Sequence, residues 1–258
     1  MKKILKKIRT LLFMDWGWFF RFTRKRLRQR IGHFKTRMTG RLDVEVNIEG
    51  TPVRLSTLTP YHHSITQHIL AGDFEIRPMS QWLKVLPGKS LIYDVGKFNG
   101  IYGIVAALRC PQAKVVIFEL DQTSAKEIRN SISLNNVSGN CSVVELAISD
   151  TGGTVFFSQG GSSGEHISSA EVGKSVKAAA LKDLPHADLI KIDIEGAEAL
   201  ALRGLDYKTT ILLETHPWFL PRFGESNDSL MQSIKDKGFT ITEVDSREQD
   251  QKHYLLTA

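Results

Sequence analysis

Apolar and polar positions along the chain follow two periods, one typical of strands and the other of helices. Short apolar runs predict five strands at 90–95, 114–120, 142–149, 188–194 and 209–215. Segments with helical spacing predict helices at 100–109, 123–134, 196–204 and 226–237. Strands that alternate with helices are typical of an α/β fold with a parallel sheet, right-handed crossovers and helices on both faces.

Smaller elements are predicted around this core. Alternating aliphatic residues at 42–48 and a turn at 50–52 predict a β-hairpin that caps the domain. The segment 59–70 is interpreted as the start of a helix. After residue 149, the sequence GGTVFFSQGGSSGEHISSA predicts an edge hairpin followed by a flexible Gly/Ser loop.

The sequence SLIYDVGKFNG at 90–100 is the most informative stretch. It combines an apolar strand that ends near Asp94 with two glycines, Gly96 and Gly100, and a helix of small residues follows. Glycines allow a tight turn and a close approach of backbone to a nucleotide-like ligand. Plain packing of the strand on the helix explains the same glycines equally well, so the neighbouring strands must decide.

Acidic residues follow two further predicted strands. Glu119 lies twenty-five positions after Asp94, where an acid in a doubly wound sheet can accept hydrogen bonds from both ribose hydroxyls. A solvated carboxylate at a strand end is the alternative. Asp193 and Glu195 end the strand DLIKIDIEG. Because ligands of open parallel sheets bind outside the carboxyl ends of the strands, three such strands together predict a binding crevice.

Five blocks, DVGKFNG, FELDQTSAKEIRNSISLNN, LAISDTGG, KIDIEGAEALALRGL and LLETHP, together resemble the FkbM-type family of S-adenosylmethionine-dependent methyltransferases. The resemblance covers roughly residues 70–220, and KIDIEGAE is its most specific part. It implies a Rossmann-like, seven-stranded, mostly parallel sheet of class I methyltransferases, with a terminal antiparallel pair at the edge.

The resemblance also implies the cofactor, S-adenosylmethionine, and the residues that bind it. Asp94, Gly96 and Gly100 are placed around the methionine end and Glu119 on the ribose, and the neighbouring blocks add Leu120 and Ala147. One departure is visible in the first turn. The family pattern after the first glycine is usually Ala-Asn, whereas this chain has Lys97 and Phe98, with an asparagine displaced to position 99.

Methyl transfer to a hydroxyl needs a base beside the acceptor. His216 in LLETHP follows the fifth predicted strand, where a neutral imidazole can take the proton; holding the loop before Pro217 is the equally favoured alternative. Asp193 and Glu195 are rival bases. Together with Glu214 they form a less favoured alternative, a site for a divalent cation. The histidines at 62, 63 and 68 lack ligand spacing, so no metal site is expected.

The acceptor is predicted from what the chain lacks and from the family. An Asn/Asp-Pro-Pro-aromatic run after the fourth strand would indicate a nucleobase nitrogen, but residues 193–196 read DIEG. Members of the resembling family mostly methylate hydroxyls of sugars and natural products, so O-methylation of a sugar, glycan or lipid-linked saccharide is expected. The alternatives are a dinucleotide-dependent oxidoreductase, disfavoured because its Gly-x-Gly-x-x-Gly turn is missing, and a catalytically inactive cofactor-binding module.

Composition supports one catalytic domain with a basic appendage. The chain has 258 residues with 41% apolar content, and Cys110 and Cys141 show no metal spacing, which fits a reducing, cytoplasmic location. We expect a basic arm at 1–38, a hairpin and helical cap at 39–89 and the catalytic domain at 90–258.

The arm carries the positive charge of the protein. Residues 1–38 contain thirteen Lys or Arg and one acid, a net charge of +12, so the rest of the chain is −6 when the total is +6. Aliphatic residues at helical spacing and the aromatic run WGWFF accompany these cations. The pattern predicts peripheral binding to an anionic membrane. Packing on the protein and, less favoured, nucleic-acid binding are alternatives, and neither a transmembrane anchor nor a cleaved signal peptide is expected.

Overall fold

The computed structural model describes residues 42–58, 66, 69, 70, 72, 75–96, 99–160, 164–168, 173–246 and 251–258. The predicted basic arm and the predicted helix start at 59–70 therefore lie wholly or mostly outside the described residues. The first element is a hairpin of β1 (Leu42–Ile48) and β2 (Thr51–Thr57). Its turn is formed by Glu49 and Gly50, earlier than the predicted turn at 50–52, because Thr51 and Pro52 already pair with Ile48 and Asn47.

A seven-stranded sheet forms the centre of the described molecule. Its strands are β3 (Leu91–Gly96), β4 (Lys114–Phe118), β5 (Cys141–Val144), β10 (Leu189–Asp193), β11 (Thr210–Thr215), β12 (Thr240–Ser246) and β13 (Lys252–Thr257). The helices of this part are α1 (Ile76–Val85), α2 (Ile101–Arg109), α3 (Gln122–Leu134), α4 (Glu198–Arg203) and α5 (Asn227–Asp236).

The strand order is β12-β13-β11-β10-β3-β4-β5. Pairs among β11, β10, β3, β4 and β5 are parallel, and β13 is antiparallel to both of its neighbours. This order confirms the predicted seven-stranded, mostly parallel sheet and the antiparallel pair at its edge. The chain runs outward from β3 to β5 and later restarts at β10 on the other side of β3. The junction of β3 and β10 is thus the switch point, where a crevice opens at the carboxyl ends.

The single strand predicted at 142–149 is wrong, because the chain forms two strands in two sheets. β5 ends at Val144, where it pairs with Phe118, and β6 (Ala147–Ser149) pairs with β9 (Lys174–Ala180). β9, β7 (Gly153–Gly160) and β8 (Gly164–Ser168) complete a four-stranded sheet of order β6-β9-β7-β8. A hairpin is present, as predicted, but its second strand, β8, lies in the stretch predicted as a Gly/Ser loop, and β9 was missed. Apolar periodicity does not record which sheet a strand joins.

The hairpin docks on α3 through polar side chains of that helix. The side-chain amide of Asn135, just after α3, accepts a hydrogen bond from Arg54 N at 2.9 Å and donates to Arg54 O at 2.6 Å. Ser56 N donates to Ser131 Oγ at 2.9 Å. The apolar side chains of Val53 and Leu55 are buried in the same core as α2 and α3. The side chains thereby satisfy the outward backbone groups of Arg54 and the N–H of Ser56 without a third strand.

Strand alternation separates two chemically different faces of the seven-stranded sheet. Tyr93, Ile190 and Ile192 point into one apolar core. The opposite face begins apolar with Ile92 and Leu189 and then changes toward the carboxyl ends. There it carries the buried ionisable residues Asp94, Lys191, Asp193, Glu214 and His253. Buried charge on one face near the switch point positions the candidate site.

Candidate active site

The turn after β3 passes directly against the end of β10. Gly96 has φ 104°, and a Cβ at this position would lie 1.8 Å from the carbonyl oxygen of Asp193. Only glycine fits there, because the turn needs both a left-handed backbone and the missing side chain. Gly100, with φ 64°, then begins helix α2 as its N-cap. The structure thus places both predicted glycines at the switch point.

Asp94 lies on β3 just before this turn and is 5% exposed. Its Oδ2 accepts a hydrogen bond from Gly103 N at 2.7 Å. Burial raises the pKa of Asp94 to about 7, even though the bond from Gly103 and the charge of Lys191 act in the opposite direction. A carboxyl group with such a pKa gains its charge most easily when a positive ligand stands beside it.

Glu119 follows β4 directly and is 5% exposed. Its Oε1 accepts a hydrogen bond from Asp121 N at 2.8 Å, and Asp121 in turn caps helix α3. Leu120 and Ala147 lie together in one small apolar cluster. The structure therefore brings the predicted ribose acid and two predicted cofactor residues to neighbouring strand ends.

The displaced asparagine of the first turn is also buried. Asn99 is 2% exposed, its Oδ1 accepts a hydrogen bond from Ile101 N at 3.3 Å, and its Nδ2 has no hydrogen-bond partner among the described residues. A buried amide donor without a partner is costly unless a ligand satisfies it. Together with the Gly96 turn, this orphaned donor fits a nucleotide-like cofactor at the switch point. Lys97 and Phe98 lie outside the described residues.

His216 stands at the centre of a group of carboxylates on the other side of the turn. Its Nδ1 is 2.8 Å from Glu198 Oε1, and its Nε2 is 3.8 Å from both Asp193 Oδ1 and Glu195 Oε1. Glu195 has a left-handed backbone, φ 51°, which is uncommon for a residue other than glycine and recurs at functional sites. All three predicted catalytic residues are therefore neighbours.

The charge of His216 depends on these carboxylates. Burial opposes a charge on the ring, but the hydrogen bond with Glu198 and the charges of Asp193 and Glu195 raise the pKa of His216 to about 9. The imidazole is therefore protonated at neutral pH in this environment. Its predicted role as a neutral base stays a prediction, and it requires that the proton first leave.

A second cluster of buried ionisable side chains lies next to the cluster around His216. Glu214 Oε2 is 3.4 Å from Lys191 Nζ and 3.0 Å from His253 Nε2. Glu75, just before helix α1, accepts a 2.5 Å hydrogen bond from Tyr102 Oη and has its Oε2 3.7 Å from His253 Nε2. This group joins the segment before α1 to the catalytic sheet.

Sequence reasoning missed several members of these groups. Lys191 had a visible signal, a lysine in the middle of an apolar strand, since a cation in a buried strand needs partners. Glu198 also stood in the KIDIEGAE block. Gln251 had no visible sequence signal, because it comes from the far C-terminal end of the chain. Its amide is 3.3 Å from His216 Nε2 and also contacts Glu214.

Comparison with known proteins decides the family. The model of the methyltransferase FkbM domain matches residues 94–241, more than half of the chain. The chain belongs to the FkbM methyltransferase family. It is a methyltransferase whose cofactor is S-adenosylmethionine, as the resemblance implied. This assignment favours neither a dinucleotide oxidoreductase nor a binding module without activity. No curated protein matches the sequence significantly.

Solved structures with similar folds are distant in sequence. The precorrin-6y C5,15-methyltransferase of Geobacter metallireducens is 15% identical with a TM-score of 0.43, over 70% of this chain and 86% of its own. The ribosomal protein L11 methylase of Lactobacillus delbrueckii subsp. bulgaricus is 14% identical with a TM-score of 0.45, over 76% and 78%. Pyrococcus horikoshii TYW2, solved with MeSAdo, is 14% identical with a TM-score of 0.42, over 83% and 69%.

Within the described residues, no helix has the length and apolar character needed to cross a membrane. The predicted membrane-binding arm at 1–38 is outside this search.

Proposed function

We propose that this methyltransferase transfers the methyl group to a hydroxyl of a sugar, a glycan or a lipid-linked saccharide. The observation that carries the proposal is the group of Asp193, Glu195 and His216 at the carboxyl ends of β10 and β11, one turn away from Gly96. A hydroxyl acceptor must lose a proton, and this group offers proton acceptors at the crevice where the methyl donor would bind.

The cofactor supplies an activated methyl group, and the protein supplies position and proton transfer. Asp94 and Asn99 would hold the methionine end, and Glu119 would accept the ribose hydroxyls. Asp193 and Glu195 offer carboxylate oxygens as proton acceptors, each with an oxygen 3.8 Å from His216 Nε2. His216, fixed by Glu198, would orient the acceptor hydroxyl between them. Positioning of the acceptor and exclusion of water contribute much of the rate in such a displacement.

An exposed aromatic ring beside the group supports a saccharide as acceptor. Trp218 is 38% exposed, and its ring packs edge-to-face on His216 with the ring centres 5.6 Å apart. Large exposed aromatic rings next to a catalytic group offer a flat apolar surface with a polar handle. The apolar face of a sugar ring would stack on Trp218 while a hydroxyl points toward His216.

The acceptor class is tested by the identity of the methylated product. Full-length protein is incubated with methyl-labelled S-adenosylmethionine and a panel of saccharides and saccharide lipids. We expect label that survives alkaline treatment and is recovered, after acid hydrolysis, in an O-methyl monosaccharide. A Trp218→Ala variant should raise KM for the saccharide more than it lowers kcat. Label found only in alkali-labile esters, protein or nucleic acid would contradict the proposal.

The concentration of positive charge in residues 1–38 suggests where in the cell the enzyme binds its acceptor. The arm at 1–38 has a net charge of +12, and each basic residue near an anionic leaflet contributes on the order of 1 kcal/mol. We therefore propose a cytoplasmic enzyme that binds peripherally to the inner membrane face. Deletion of 1–38 should abolish co-sedimentation with anionic vesicles and leave cofactor binding intact, and added salt should weaken binding of the full chain. Full-length protein that ignores anionic vesicles at low salt would contradict this part.

A further inference from the structure

Asp193, Glu195 and His216 present one ligand atom each to a common space. One ligand atom of each residue lies within 4.8 Å of the other two, and His216 Nε2 is 3.8 Å from both Asp193 Oδ1 and Glu195 Oε1. The two distances of 3.8 Å from Nε2 are too long for hydrogen bonds. Two ligands that share an ion at about 2.0–2.2 Å each stand at most about 4.4 Å apart, so the two distances of 3.8 Å from Nε2 suit an ion shared with each carboxylate.

The orientation of the His216 ring is fixed from outside this group. Nδ1 lies 2.8 Å from Glu198 Oε1, and the same oxygen accepts a 3.0 Å bond from Gly196 N. Glu198 is fully buried. A carboxylate that accepts from Nδ1 of a histidine directs Nε2 toward its ligand, as is common for metal-binding histidines.

The neighbouring group of Glu75, Glu214 and His253 has a cationic side chain of the protein beside its carboxylates. Its ligand atoms also lie within 4.8 Å of one another, but Lys191 Nζ is 3.4 Å from Glu214 Oε2. A lysine thus supplies the cation of that group. Lys191 Nζ also lies 3.8 Å from Oδ2 of Asp193 in the first group, so the lysine stands between the two groups.

Among the described residues of both groups and the adjoining turn, acidic side chains outnumber basic ones. Those that are buried or nearly buried are the acids Glu75, Asp94, Asp193, Glu195, Glu198 and Glu214 and the bases Lys191, His216 and His253. Carboxylates that lie close together favour a cation beside them.

We propose that Asp193, Glu195 and His216 bind a divalent first-row transition ion such as Mn²⁺ or Zn²⁺. One imidazole with two carboxylates suits these ions better than Mg²⁺, which prefers oxygen ligands. A proton on Nε2 and the ion compete for the same lone pair, so the ion takes the place of that proton. Binding stands on the geometry alone. The role of the ion, to lower the pKa of an acceptor hydroxyl, rests on the proposed function.

The ion site is tested by binding, without any acceptor. Full-length protein is stripped with a chelator, and Mn²⁺ is titrated by electron paramagnetic resonance of the free ion, with Zn²⁺ by calorimetry. We expect one ion per chain and a loss of affinity of at least tenfold in Glu195→Gln and His216→Asn. His186→Asn, an exposed histidine stacked on Tyr207 before β10, is the matched control and should bind like the parent protein.

Three outcomes would overturn the site: no binding of Mn²⁺ or Zn²⁺, unchanged affinity in Glu195→Gln, or affinity lost in Glu75→Gln instead. Glu195→Gln keeps the shape of the side chain, and circular dichroism confirms that the variants fold. Stripped protein that methylates a saccharide at full rate would overturn the role of the ion. Ion binding without saccharide methylation would leave the site standing and overturn only the proposed acceptor.

Discussion

The two ends of the central sheet hold aspartates of opposite character. At the amino end of β10, the exposed Asp188 accepts hydrogen bonds from Ser90 N and Leu91 N at 2.8 and 3.0 Å, and these bonds lower its pKa. On β3, the buried Asp94 accepts one bond from Gly103 N, and burial raises its pKa to about 7. The first carboxylate stabilises the fold, and the second costs stability in the empty protein.

The difference teaches where function lies in this molecule. Asp188, whose hydrogen bonds favour the ionised form, stabilises the end of the sheet. An ionisable residue such as Asp94, whose ionised form the fold disfavours, is typical of a ligand-binding site. The carboxyl ends of β3, β10 and β11 collect the second kind, with Asp193 and His216 beside Asp94. The predictions below test this contrast, beginning with the largest effect.

Removal of His216 should have the largest consequence. His216→Ala is expected to lower turnover by about a hundredfold or more while cofactor affinity changes little, because the ring orients or deprotonates the acceptor. Single-turnover kinetics and calorimetry with S-adenosylmethionine measure the two quantities. His186→Ala at the amino end should turn over like the parent enzyme. Normal turnover in His216→Ala would move the catalytic role to Asp193 or Glu195.

Loss of the Glu119 carboxylate should affect the cofactor rather than the chemistry. Charge-assisted hydrogen bonds contribute roughly 1.5–3 kcal/mol each, so Glu119→Ala should weaken S-adenosylmethionine by at least about tenfold. Calorimetry measures the affinity. Glu243→Ala, which removes a half-exposed acid paired with Lys252 on the edge strands, is the control and should bind normally. An unchanged affinity in folded Glu119→Ala protein would refute the assignment to the ribose.

The two aspartates should respond to neutralisation in opposite directions. Asp94 has a folded pKa above its unfolded value of 3.8, so its ionisation removes stability as pH rises toward about 7. Asp94→Asn should therefore stabilise the empty protein at pH 8 by at least about 1 kcal/mol, a rise in Tm of about 2–4 °C, with little change near pH 4.

Asp188→Asn should destabilise, by about 0.5–1 kcal/mol at pH 7, since solvent weakens its two hydrogen bonds. Because the folded pKa of Asp188 is lowered, its contribution is present above the unfolded value and disappears as pH falls through the folded value. Urea unfolding of both variants between pH 4 and pH 8 gives these differences. A destabilising Asp94→Asn at pH 8 would break the contrast between the two ends of the sheet.

Much of the fold and part of the site followed from local sequence. Strand and helix periods located the main sheet, since each buried strand and each amphipathic helix carries its own apolar pattern. The turn at Asp94, Gly96 and Gly100 could be predicted because a tight turn after a strand requires residues without a side chain, and glycine is visible in the sequence. The acids Glu119, Asp193 and Glu195 were visible because they stand next to strand ends in sequence as well as in space, and the family blocks added the cofactor.

Tertiary structure alone decided which ionisable side chains lie close enough to shift one another's pKa. Periodicity joined 142–149 into one strand, but the chain divides it between two sheets, because pairing partners lie far away in sequence. Glu198 fixes His216 across 18 residues, and Gln251 reaches it across 35. The carboxylates of Glu198, Asp193 and Glu195, which no local pattern brings together, outweigh burial and raise the pKa of His216 to about 9. The sequence by itself determined the strands and their acids, whereas long-range packing set their distances and therefore their chemistry.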